Sequence, residues 1–131
     1  MKRVGLLLLL LFVATAHPGD TGQASQTIAG SGTQLVQTCR LYFEYLGRTG
    51  AGREETFERN PFGMGYCAGL VHGVVDMAEA FMPDRVCLPP RATIAQAVWV
   101  VVQYLEKNPI ALPDEDSELV LRALENTYRC P

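Results

Sequence analysis

The sequence predicts an all-α protein, a compact up-down bundle of about four helices stapled by two disulfides. Three observations predict it. Apolar residues recur at the helical period in four separate segments, each segment is bounded by helix start and stop residues, and the four cysteines fall where short antiparallel connections can bring them together.

The chain opens with a segment that reads as a targeting signal. Lys2 and Arg3 form a basic head, Val4 to Val13 an apolar core, and Ala14-Thr15-Ala16 places small residues where a signal peptidase reads them. Residues 1–16 are therefore expected to be a signal peptide, cleaved before His17. The apolar run is well short of the about 20 residues that span a bilayer, and no Cys follows it to accept a lipid. The exported protein is expected to be soluble, in the periplasm, with no stable membrane insertion. Losing Lys2 and Arg3 takes the formal charge from −3 to −5. Nucleic acid and anionic membranes demand clustered Lys and Arg, so this acidity suits a basic protein partner better; it also simply keeps a small domain in solution.

Residues 17–32 are rich in Gly, Ser, Thr and Gln and nearly empty of large apolar side chains. Such a segment buries too little surface to offset its ordering entropy, which predicts a disordered leader and a single helical domain over residues 33–131. There is no repeat at solenoid periods.

Helix one is predicted over Thr33 to Leu46, where Leu35, Val36, Cys39, Tyr42, Phe43 and Leu46 fall on one face and Gly47 stands at the C-terminus. A glycine-bearing loop, Gly47 to Asn60, follows, and Asn60-Pro61 turns into helix two. There Met64, Cys67, Leu70, Val71, Val74, Met77, Ala78 and Phe81 form an apolar stripe that Pro83 stops. Helix three opens on Thr93 and Gln96 in capping-box spacing. Its body, Ile94 to Leu105, is apolar nearly all round, which predicts the most buried element with Trp99 largely buried. The run Val98 to Val102 also fits a buried strand, but length, the cap and the Asn108-Pro109 stop favour a helix. Helix four is expected to begin near Pro113, with Asp114, Glu115 and Asp116 in its first turn, where carboxylates suit the positive end of the helix dipole.

Cysteines in an exported domain pair, and four of them allow three connectivities. In an up-down order, Cys87 just before helix three and Cys130 just after helix four become neighbours, which leaves Cys39 for Cys67. The competing use, a zinc site, lacks any CxxC spacing.

No nucleophile motif, phosphate loop, paired catalytic carboxylates or metal-ligand cluster is present, so no enzyme, metal or cofactor is predicted. His72 and Asp76, four apart on helix two, can share a face as an imidazole–carboxylate pair, and a surface ion pair is the commoner outcome. Gly65, Gly69 and Gly73 line the same side. Each glycine costs a helix about 1 kcal/mol, so either close packing against another helix of the domain or a groove or homodimer seam should offset them.

From residue 64 onward the chain reads Tyr66-Cys67-Ala68-Gly69-Leu70-Val71-His72-Gly73-Val74-Val75-Asp76, then Cys87-Leu88-Pro89-Pro90, Thr93 to Gln96, Val101-Val102-Gln103-Tyr104-Leu105, Asn108-Pro109, Leu119-Val120 with Ala123-Leu124, and Cys130-Pro131. This order resembles the Rap/Tai kind of type VI secretion immunity proteins. The resemblance implies a periplasmic helical protein that binds and blocks a cognate secreted toxin, most simply a cell-wall amidase. The chain departs from that pattern in the long Gly47 to Asn60 segment, with Arg53, Glu54, Glu55 and Arg59, and in the acidic run containing Asp114, Glu115 and Asp116. Partner specificity is expected to vary in such segments, so these residues, with His72 and Asp76, are the candidate partner-binding set. Two other readings fit an exported helical domain: an acid-stress chaperone similar to the HdeA kind, and a scaffold kept without a toxin partner.

Overall fold

The computed structural model describes residues 30–131. The expected signal peptide and residues 17–29 of the expected leader lie outside the described residues. The fold is all-α, with two disulfides as expected, but with five helices among the described residues: α1 (Gly32–Gly47), α2 (Gly50–Arg59), α3 (Pro61–Phe81), α4 (Ile94–Lys107) and α5 (Asp116–Thr127). A single 3₁₀ turn, Pro109–Ala111, links α4 to α5.

Each start is chemically marked. Ser31 caps α1 by accepting from the Gln34 N–H, and Asn60 Oδ1 accepts from the Gly63 N–H at 2.8 Å ahead of Pro61 in the first turn of α3. The capping box at α4 is formed in both directions: Thr93 Oγ1 accepts from the Gln96 N–H, and Gln96 Oε1 accepts from the Thr93 N–H.

The expected loop between the first two long helices is helical. Thr56, buried in α2, donates its hydroxyl to Gly52 O at 2.8 Å, and Gly50 adopts a φ of 57°, which lets the chain reverse out of α1. The glycines at 50 and 52 concealed a run, Arg53 to Arg59, composed largely of helix-forming Arg and Glu.

The core lies where α1, α3, α4 and α5 meet. Leu35, Val71, Val98, Val101, Leu105, Leu119, Val120 and Leu124 are fully buried, with the disulfide-bonded Cys39 and Cys67 among them. Gly63 permits the close approach of α3 to α1, since a Cβ there would collide with Thr38 and the Asn60 amide. At the far end Cys87 bonds Cys130, with Cα atoms 5.0 Å apart, and the Cys87 N–H donates to Tyr128 O at 2.7 Å. The connection from α3 to α4 is thereby tied to the end of α5.

Two burial expectations are corrected. Trp99 is 43% exposed and stacks on Phe43 of α1 with ring centroids 4.6 Å apart. Its side of α4 also carries Gln96, Gln103 and Glu106, three, four and seven residues away, so it stands beyond the buried arc of Ala97, Val98, Val101, Val102 and Leu105. Phe81, expected on the inward stripe of its helix, is exposed in the last turn of α3.

Candidate protein-binding surfaces

The connection from α4 to α5 is braced from both sides. Asn108 closes α4, its side-chain amide donating to Tyr104 O at 2.7 Å. The N–H groups of Ala111, Leu112 and Asp114 then donate to Asn108 O, Pro109 O and Ala111 O. From behind, the N-terminal edge of the domain docks on the same segment: Gly32 N–H donates to Asp114 O, Thr33 N–H to Leu112 O, and Asp116 N–H to Gly30 O, with Ser31 and Glu115 forming an isolated antiparallel bridge. Residues 30–32, expected in the leader, therefore belong to the domain. Out of this braced turn projects Ile110, 94% exposed.

The acidic cluster of this turn divides into three roles. Asp114 is ion-paired to Arg122 at 2.8 Å, and Arg122 also bonds Glu118. The Arg122 guanidinium is held above its ordinary range by its hydrogen bonds, first to Glu118 and then to Asp114. Glu115 is exposed at the N-cap of α5. Asp116, expected on the surface, is 3% exposed: Oδ1 accepts from the Ser117 N–H at 2.7 Å, while Oδ2 is buried without a hydrogen-bond partner among the described residues. Glycine makes room for it, because a Cβ at Gly30 would collide with the Asp116 carboxylate and the Tyr66 hydroxyl. Pro113 and Asp114 precede α5 rather than opening it.

The second candidate segment sits on α2. Arg53 lies over the Tyr45 ring, 4.4 Å from its centroid, and Phe57 packs at a tilt on the same ring at 5.9 Å. With Glu54 they line a shallow depression of about 300 Å³. Arg59 pairs with Glu44, and Glu55 is exposed. This cluster follows the C-terminus of α1 whereas the Ile110 turn braces its N-terminus, so the 16 residues of α1, about 24 Å of helix, separate them.

The third lies on the outer face of α3. His72 Nδ1 stands 3.1 Å from Asp76 Oδ2 in an exposed pair. Gly65, Gly69 and Gly73 share that side, and a Cβ at any of them would meet nothing within 4 Å. Among the described residues nothing packs on these glycines, so close packing within that part of the domain, the first explanation for them, does not hold, and the face is open there. Along its edge runs a depression of about 400 Å³ between His72, Glu79, Leu88, Pro89 and Ile94.

Among the described residues no group of three or more His, Cys, Asp or Glu could hold a metal ion, and no helix is long and apolar enough to cross a membrane. Ile110 and Trp99 were absent from the candidate set. Ile110 had a signal, a large aliphatic directly after Pro109 in a short turn closed by Pro113, where no helical face could receive it.

Comparison with protein families matches residues 31–130 to the family described as Rap1a immunity proteins. No curated protein and no solved structure matches the chain.

Proposed function

Because the chain belongs to the Rap1a immunity protein family, we propose that it is a periplasmic inhibitor that protects the cell by occupying the active-site cleft of a type VI secretion toxin, most simply a peptidoglycan amidase. The membership supports a cognate toxin partner and a non-enzymatic role. The observation that carries the mode of inhibition is Ile110. A large aliphatic side chain held 94% exposed on a turn with backbone bonds on both sides is an anchor already ordered for insertion, so little entropy is lost on binding. Lys107, Asn108 and Asp114 beside it make the polar rim that surrounds such anchors. The α2 cluster of Arg53, Glu54, Glu55 and Arg59 is the alternative contact with the toxin, and the open α3 face with His72 and Asp76 is the seam we assign to a homodimer.

The test is protection of susceptible cells against each co-produced type VI effector, together with binding of the purified pair. The native protein should protect against one effector and show no hydrolytic activity of its own. Ile110→Asp should weaken that complex by at least about 30-fold, the loss of one anchor worth about 2 kcal/mol, with an unchanged thermal midpoint. Full protection by Ile110→Asp would remove the turn from the interface, and protection against no effector would remove the immunity reading.

A further inference from the structure

Ile110 does not stand alone: the surface beside it continues along α4 and α5 as three connected depressions. The first, about 400 Å³, flanks Ile110 and is bounded by Lys107 and Asn108. Those two residues also bound the second, about 320 Å³, which runs past Gln103 to Trp99. The second shares Tyr104 and Asn126 with the third, about 350 Å³, where Arg85, Arg122 and Arg129 converge with Glu125.

The charge here opposes that of the chain as a whole. The sequence carries 14 acidic against 11 basic residues, yet the second and third depressions are lined by Lys107, Arg85, Arg122 and Arg129 against the single carboxylate of Glu125. Arg85 stands 2.5 Å from Glu125 Oε1, an ion pair by distance although no directed hydrogen bond reaches that buried oxygen. Arg122 is satisfied by Asp114 and Glu118. Lys107 and Arg129 form no ion pair among the described residues. Lys107, at the C-terminal end of α4, lines the second depression with the half-exposed Trp99, and Arg129, just past α5, lines the third, which Tyr104 and Asn126 join to it.

We propose that this α4–α5 groove binds an acidic extended segment of the toxin, its carboxylates on Lys107 and Arg129 and a neighbouring side chain against Trp99. The proposal rests on the immunity reading and names the chemistry of the partner beside the Ile110 anchor. Trp, Tyr and Arg are the residues that dominate binding energy at protein interfaces, and all three line this groove. Its length argues for a peptide over a small anion: Trp99 and Lys107 are eight residues apart on α4, about 12 Å of helix axis, the span of about four extended residues. Nucleic acid fits less well, because two unpaired cations are far fewer than the roughly six to ten phosphate contacts of proteins that bind it firmly.

Trp99 is the only tryptophan in the chain, so its emission reports on this groove in the whole exported protein. Titration with hexaglutamate at low salt should give a saturable change. Lys107→Glu and Arg129→Glu should each weaken it about threefold and both together about tenfold, while Arg91→Glu, outside the groove, should leave it unchanged. No saturable change, or equal weakening by Arg91→Glu, would overturn the proposal. So would an equal response to monomeric glutamate or inorganic phosphate, which would make the site one for small anions. The titration needs no toxin: intact hexaglutamate binding beside failed protection would count against the immunity reading alone, and protection without hexaglutamate binding against the groove alone.

Discussion

Asp116 is buried within a domain whose other acids mostly meet water, and its position decides which substitutions in the α4–α5 turn test binding and which test folding. Asp116→Lys would set an unpaired ammonium into a site built for a carboxylate and is expected to cost about 3 kcal/mol or more. Glu115→Lys, on the exposed N-cap, should cost less than about 0.5 kcal/mol. Urea denaturation of the oxidised protein measures both, and similar midpoints for the two variants would contradict the burial of Asp116. The sequence shows three acids in a row with nothing to rank them. What turns the third inward is Gly30, far away in the chain, whose missing side chain leaves the space. Trp99 is a different case, since its exposure was legible: Gln96 and Gln103, one turn before and after it, mark that side of α4 as facing water.

Among the elements, α3 shows most clearly how periodicity speaks for one face and is silent about the other. The buried stripe of Met64, Cys67, Val71, Val74 and Ala78 is where the spacing put it. Gly65, Gly69 and Gly73 also follow a helical spacing, but whether their open side meets a neighbour depends on which helices the fold lays against it, and none of the described helices lies there. Alanine at all three should stabilise the monomer by about 1.5–3 kcal/mol, about 0.5–1 for each glycine removed from a helix. The same substitutions should weaken a homodimer seamed on this face, read by sedimentation equilibrium. Stabilisation with unaltered association would place the dimer contact elsewhere. Helix α2 was missed because its glycines and largely charged surface look like a loop, and only Thr56 of the segment is buried. The four longer helices were legible because each carries an apolar stripe at helical spacing, with a capping box at α4 and stop residues after α1, α3 and α4.

At the scale of the molecule, the two disulfides are chemically unequal. Cys39 and Cys67 are fully buried, whereas Cys87 lies at the surface, so mild reductant followed by alkylation and peptide mass analysis should modify Cys87 and Cys130 while Cys39 and Cys67 stay bonded. Losing the outer bridge releases a 43-residue separation and should cost on the order of 4 kcal/mol. Alkylation of Cys39 first would mean that the α1–α3 core opens before the rim. Both pairings followed from the up-down order, because a disulfide needs only topology and reach. The location of Ile110 did not, since it depends on how residues 30–33 grip the turn. That grip also determines how the protein can be handled. The chain enters the domain at Gly30, against Glu115 and Asp116, on the end of the molecule that carries Ile110, whereas Cys130 is held at the opposite end of α4 by its bond to Cys87. If the Ile110 turn meets the toxin as proposed, a purification tag or reporter domain ahead of Gly30 would crowd that contact, whereas the same addition after Pro131 would leave the turn clear and stand near Arg129 instead.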